Sequence, residues 1–189
     1  MSAYNALLNV LSKLVEFITG ALLCAITLIV FYTVIAAKFL GGAPPWTNEA
    51  PLIMVIWFGL LGAGLGVRDK AHLAVEFMVR GLGATLKAFF FRLSYALMLA
   101  FAGVMTVAGF RLVFFTVGNQ QTYPATKLPV GYAAYLAIPL AGIFIALHAM
   151  RHLIDLFTGD YDFTTAEDED LAHEEEQAKK ILKERGIEG

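Results

Sequence analysis

Four long apolar stretches follow one another along the first 150 residues of the chain. Each contains a run of 18 to 23 residues without Asp, Glu, Lys or Arg. An α-helix rises about 1.5 Å per residue, so a run of about 20 residues crosses a hydrocarbon core about 30 Å thick. The pattern therefore predicts an all-α membrane protein with four transmembrane helices, at about 14–37, 50–67, 89–111 and 128–150.

Local signals refine three of these stretches. The first is too long for the apolar part of a signal peptide and only Lys13 precedes it as a basic residue, so we expect a retained anchor. Pro51 lies in the predicted first turn of the second helix, where a missing N–H costs nothing. Pro139 lies within the fourth stretch, where a proline is expected to bend the helix near its middle.

Basic residues between the spans predict how the chain is oriented. Four spans place both termini on one side of the membrane, and cytoplasmic loops are rich in Lys and Arg. Three basic residues fall on the side away from the termini, namely Lys38, Arg111 and Lys127. Six fall on the side of the termini, namely Lys13, Arg68, Lys70, Arg80, Lys87 and Arg151. We therefore predict that both termini are cytoplasmic.

The predicted inner loop contains one further helical pattern. Between His72 and Arg80, the apolar residues Leu73, Phe77 and Met78 recur at near-helical spacing. This favours a short helix that lies in the membrane interface, although a tight connector fits the same residues.

The character of the chain changes at residue 160. Residues 1–159 carry ten Lys/Arg and five Asp/Glu, whereas residues 160–189 carry four and eleven. Glu175 with Lys179 and Glu176 with Lys180 are i,i+4 pairs in the favourable order. We therefore predict a four-span membrane domain, 1–159, and an acidic, partly helical cytoplasmic tail, 160–189, which is either a solvated appendage or a docking element.

Composition and residue chemistry argue against an enzyme. Hydrophobic residues make up 58% of the chain and charged residues 16%, so the apolar surface must meet lipid. The single cysteine, Cys24, has no partner within the chain. His148 and His152 have the i,i+4 spacing of a metal pair but no obvious third ligand, so interfacial histidines are the simpler interpretation. We expect no catalytic residue, no metal or other cofactor, and no nucleic-acid partner.

The second span instead offers a packing surface. Small residues recur at Gly59, Gly62, Ala63 and Gly66, and Gly62 with Gly66 forms a GxxxG pattern that permits close helix contact. Glu49 and Arg68 lie at the helix ends where the helix dipole favours their charges, so they are either simple helix-end charges or contacts to a partner.

The second span also resembles a known family. Its pattern is Trp46-x-x-Glu49, then Trp57, Gly62-Ala63, and Arg68-x-x-x-His72 followed by Val75-Glu76. This is similar to the signature of the small, DctQ-type membrane subunit of tripartite ATP-independent periplasmic (TRAP) transporters, and the resemblance covers roughly residues 10–157. The chain departs from it at Glu76, where an Asp is usual, and at the start of the fourth span, where no tryptophan follows Pro129.

The resemblance implies a role in a complex of the bacterial inner membrane. The expected partners are a large multi-span permease that carries the substrate and sodium sites, a periplasmic substrate-binding protein, and membrane lipid. The chain would be the scaffold of a sodium-coupled transporter that takes up an organic acid or similar solute. The residues expected at a subunit interface, or in a structural role, are Trp46, Glu49, Trp57, Gly62, Gly66, Arg68 and His72.

Two other functions fit a small four-span protein. A proton-coupled exporter would use Glu16, which precedes the uncharged part of the first span. A membrane anchor subunit of a redox complex would need axial histidines that face one another from different spans. Neither has a local signature as specific as the pattern of the second span.

Overall fold

The computed structural model describes residues 2–69 and 84–158, and it shows four long α-helices. Helix α1 is Ser2–Phe39, α2 is Trp46–Arg68, α3 is Ala84–Gly118 and α4 is Ala137–Thr158. A π-helical turn, Gly131–Tyr135, precedes α4. His72, the predicted interfacial helix and the predicted acidic tail lie outside the described residues.

All four helices are long and apolar enough to cross a membrane, which confirms the predicted fold class. The candidate spans are Leu8–Phe39, Trp46–Arg68, Ala88–Gly118 and Gly131–Thr158. The described residues contain no strand beyond an isolated bridge between Thr122 and Pro129. The helices extend beyond the apolar runs because hydropathy reports the stretch in lipid, whereas backbone hydrogen bonding continues into the interface.

The four helices are arranged around α4. Helix α1 packs along α2, α2 packs on α4, and α4 packs on α3, so α1 and α3 lie at opposite edges. Half of the most apolar window of α4 is buried within the protein, against 11% for that of α1. The last helix in the sequence is therefore the central helix of the fold.

Glycines permit the closest helix contacts. A Cβ on Gly109 of α3 would lie 2.7 Å from the Pro139 ring, and a Cβ on Gly142 of α4 would lie 3.0 Å from the Ala102 carbonyl oxygen. In lipid, such backbone approach gives van der Waals contact that larger residues prevent. Around these contacts, Tyr95, Ile145 and Leu156 belong to a buried cluster between α3 and α4.

The backbone is irregular just before Pro139, at the beginning of the fourth span, and the bend predicted near the middle of the helix stays a prediction. The Leu136 N–H donates to the Gly131 carbonyl at 2.9 Å, a π-helical hydrogen bond, one turn before Pro139. Proline has no N–H and its ring clashes with the carbonyl four residues earlier, so a widened turn at this point accommodates it. The irregular turn therefore lies at the start of the fourth span and leaves the rest of α4 regular.

Two loops meet at one end of the molecule, called here the loop end. The first, residues 40–45, follows α1: Gly41 has φ +76°, and the Gly42 N–H donates to the Ala36 carbonyl at 3.3 Å, a closure typical of helix C-termini. The second, residues 119–130, follows α3. The opposite end, with the chain start and the end of α4, is called the terminal end.

Candidate functional site

The carboxylate of Glu49 connects the start of α2 to the second loop. Oε1 accepts a hydrogen bond from the Ala125 N–H at 2.8 Å, and Oε2 accepts from the Thr126 N–H at 2.8 Å and its hydroxyl at 2.9 Å. The next residue, Lys127, has φ +59°, a conformation that non-glycine residues rarely adopt. Glu49 is thus more than a helix-end charge: it holds the loop in place from 76 residues away in sequence.

The two tryptophans of the family pattern have different surroundings. Trp46 stacks on Tyr32 of α1, with ring centroids 6.0 Å apart and planes at 16°, and it stays partly exposed at the loop end. Trp57 lies about three turns further along α2. Its Nε1–H donates to the Ala133 carbonyl of the π-helical turn at 2.7 Å. Trp46 therefore fastens α2 to α1, and Trp57 fastens it to the segment before α4.

The small residues of α2 divide between two faces. A Cβ on Gly64 would overlap the Phe144 ring, 3.0 Å from Cε1 and closer to Cδ1, so Gly64 is the close contact to α4. A Cβ on Gly59, Gly62 or Gly66 would meet nothing within 4 Å. The GxxxG pair is thus not used among the described residues, and it lies on the face of α2 opposite to the one that packs on α4.

Arg68 brings together charges at the terminal end of α2. Its Nη1 lies 3.1 Å from the Glu16 carboxylate of α1, and its Nε and Nη2 reach Asp69. Its side chain is 27% exposed and that of Glu16 is 63% exposed, so the pair is solvated and contributes little on its own. Glu16 therefore pairs with Arg68 at the terminal end and does not lie in the uncharged part of the first span.

Two buried histidines form contacts that sequence reasoning missed. His148 is 2% exposed, and its Nδ1 and Nε2 lie 3.1 Å from the Phe144 carbonyl and the Ser12 hydroxyl. A carbonyl only accepts, so Nδ1 carries a proton, and in the neutral imidazole Nε2 then accepts from Ser12. His152 Nε2 lies 3.3 Å from the Arg68 carbonyl, and its ring stacks on Tyr95.

Both histidines are thus buried between helices, near the terminal end of α4. Their predicted place at the level of the membrane interface stays a prediction. A buried imidazole in a membrane protein needs hydrogen-bond partners, and the contacts of each ring supply them. In the described part of the chain, no three His, Cys, Asp or Glu residues are grouped to hold a metal ion. The i,i+4 spacing of His148 and His152 serves contacts to α1 and α2.

Comparison with known proteins identifies the family. The family model for the DctQ component of tripartite ATP-independent periplasmic transporters matches residues 26–159, well over half of the chain. A C4-dicarboxylate TRAP transporter small permease protein, DctQ, of Rhodobacter capsulatus is 26% identical over 106 residues, which cover 56% of this chain and 46% of that protein. Its Vibrio cholerae counterpart is 21% identical over 189 residues, which cover 89% of this chain and 79% of that protein.

The alignment to the first of these relatives thus spans less than half of its length. The family match, together with four helices able to span a membrane, confirms the resemblance predicted from the second span. The chain therefore belongs to the DctQ family: it is a small multi-pass subunit of a TRAP transporter in the bacterial inner membrane, and not an enzyme.

Proposed function

We propose that this chain is a rigid scaffold that binds the large multi-span permease of its transporter and moves no solute by itself. The observation that carries the proposal is the division of α2 into two faces. One face packs on α4 through Gly64, whereas Gly59, Gly62 and Gly66 have open space before them. Small residues on an open membrane face allow a partner helix to approach closely.

Both ends of α2 are joined to neighbouring segments, which suits a scaffold. At the loop end, Trp46 stacks on α1 and Glu49 holds the second loop. At the terminal end, the Arg68 carbonyl lies 3.3 Å from Nε2 of the buried His152 of α4, and the solvated pair with Glu16 adds little. A helix held at both ends presents a preorganised surface. Little conformational entropy is then lost when a partner binds to it. We therefore propose Trp46, Glu49, Trp57 and Arg68 as supports of the interface, and Gly62 and Gly66 as its contact points.

The charges of the described residues also favour a scaffold over a transport path. Intramembrane ionisable groups mark ion and substrate pathways in transporters. Here Glu16 and Arg68 pair at the terminal end, and Arg92 and Arg111 lie outside the uncharged run of α3. The substrate and ion sites are then expected in the large permease.

Substrate and coupling are proposed from the family. The relatives in R. capsulatus and V. cholerae are named as C4-dicarboxylate transporter subunits, so we propose a C4-dicarboxylate or a similar organic acid, delivered by a periplasmic binding protein and taken up with sodium. We also propose that both termini are cytoplasmic, as the excess of basic residues at the terminal end predicts.

Uptake into proteoliposomes tests the scaffold. Vesicles would contain this chain alone, the large permease alone, or both, with the binding protein outside and an inward sodium gradient. We expect uptake only with both subunits, and a parallel loss of co-purification and uptake with Gly62→Leu. Gly20→Leu is the matched control, because Gly20 of α1, like Gly62, has nothing within 4 Å of its Cβ position. Uptake by this chain alone, or full uptake by the permease alone, would contradict the proposal.

A further inference from the structure

The face of α3 that points away from α4 carries a shallow, open depression of about 440 Å³, called here the α3 groove, which residues of this one helix line. It runs along one helix from Leu99 to Arg111, with Gly103 and Val107 along its length. A Cβ on Gly103 would meet nothing within 4 Å, so this glycine makes the groove deeper without serving any helix contact among the described residues. The groove is apolar except at Arg111.

The groove has the length of one leaflet. From residue 99 to residue 111 the helix rises about 18 Å, and half of the hydrocarbon core is about 15 Å thick. Arg92 and Arg111 flank the uncharged run of α3, which is about 27 Å long and so places both guanidinium groups near the two headgroup levels. The groove therefore extends from the headgroups at the loop end towards the middle of the membrane.

The two arginines differ in what they contact. Arg92 donates to the Leu156 carbonyl at 3.2 Å and lies over the Phe157 ring, 5.1 Å from its centroid. Arg111 is exposed and has neither a hydrogen bond nor an ion pair within residues 2–69 and 84–158. At headgroup depth the most abundant anion is the phosphate of phospholipids, and a guanidinium binds phosphate through two parallel N–H donors.

From these observations we propose that the α3 groove is a phospholipid-binding site. The phosphate binds to Arg111, and one acyl chain lies in the groove over Gly103 and Val107. The apolar groove is complementary to an acyl chain and Arg111 is complementary to a phosphate. One phospholipid molecule carries both groups. A helix of a protein partner would fill the apolar part but would also have to bring an acid to Arg111. This proposal does not depend on the function proposed above.

Native mass spectrometry of the purified chain, titrated with phosphatidylglycerol, tests the site. We expect Arg111→Gln and Gly103→Leu each to weaken binding of the first lipid about tenfold, because one removes a charged hydrogen-bond donor and the other fills the groove. Arg111→Lys should retain most of the binding. The matched controls are Lys38→Gln, an exposed charge at the loop end of α1, and Gly20→Leu, an exposed glycine of α1.

Diacylglycerol with the same chains separates the two contributions. It should bind the unchanged chain about tenfold more weakly than phosphatidylglycerol does, and Arg111→Gln should not weaken it further. Circular dichroism would verify that each variant remains helical. Equal lipid binding by the groove variants and their controls would overturn the proposal. So would unchanged lipid binding combined with lost co-purification of the large permease, since the groove would then be a protein interface.

Discussion

Thr126 donates two hydrogen bonds to the Glu49 carboxylate, one from its backbone N–H at 2.8 Å and one from its hydroxyl at 2.9 Å. Glu49, at the start of the second span, thereby holds the loop between the third and fourth spans in its conformation. The loop also closes on itself, since the Tyr123 N–H donates to the Leu128 carbonyl. At the loop end, the segment beside α2 therefore has a defined conformation.

Glu49→Gln is predicted to loosen this loop while α2 remains folded. The amide nitrogen of Gln cannot accept, so at least one of the three donors from Ala125 and Thr126 loses its partner. We expect faster cleavage within residues 119–130 by an added protease and a lower thermal midpoint in detergent. Asn48→Ala at the neighbouring exposed position is the control, and equal cleavage of both variants would show that Glu49 does not hold the loop.

The two faces of α2 can be separated with matched alanine substitutions. Gly64→Ala places a methyl group against the Phe144 ring, and overpacking of this kind costs about 1–3 kcal/mol. Gly62→Ala has open space and should be neutral, or stabilising by up to about 1 kcal/mol, because alanine favours the helix. Thermal unfolding of the isolated chain measures both, and a Gly62→Ala variant less stable than Gly64→Ala would reverse the assignment of the faces.

Trp57→Phe is predicted to destabilise the chain more than Trp46→Phe. The first removes the N–H that binds the Ala133 carbonyl, a net loss of about 0.5–1.5 kcal/mol, and leaves that carbonyl without this donor. The second keeps an aromatic ring on Tyr32. Denaturation in mixed micelles compares the two variants, and equal stabilities would mean that the Trp57 hydrogen bond contributes nothing.

Thiol labelling tests the orientation of the chain. In a Cys24→Ala background, Ala43→Cys and Thr122→Cys at the loop end should react with a membrane-impermeant reagent in intact cells. Val75→Cys should react only after the cells are opened. Cys24 is exposed on α1, so it has to be removed first. Labelling of Val75→Cys in intact cells, without labelling of Ala43→Cys, would reverse the orientation.

Much of the fold could be predicted because lipid imposes a single simple requirement on each span. About 20 apolar residues suffice to indicate a crossing, and the helix type follows because backbone groups must be satisfied within the segment. The pattern of the second span also drew attention to Trp46, Glu49 and Arg68, whose place at a subunit interface stays a prediction. It did not indicate their partners within the chain, since Glu49 binds residues 76 and 77 positions later and nothing local indicates that pairing.

Other parts of the site depend on which face of a helix is covered, and composition does not show this. Small residues occur on both sides of α2, and the sequence pattern does not show which side packs within the chain. It drew attention to Gly62, whereas Gly64 makes the close contact to Phe144. Similarly, Ser12 and His148 are 136 positions apart, and each alone is an ordinary residue near the end of a span. They become a buried pair only because the folded chain brings the terminal ends of α1 and α4 within reach of each other.

The central position of α4 has a consequence for biogenesis. The helix that α2 packs on is the last of the four described helices to leave the ribosome, and 90 residues separate the end of α2 from the end of α4. Synthesis adds about 5–20 residues per second, so the end of α4 follows the end of α2 after about 5 to 18 s. Until then Gly64 and Trp57 lack their partners Phe144 and Ala133. During that interval the nascent chain exposes an unfinished surface to insertion chaperones and membrane proteases, so chains that stop before α4 should be degraded rapidly.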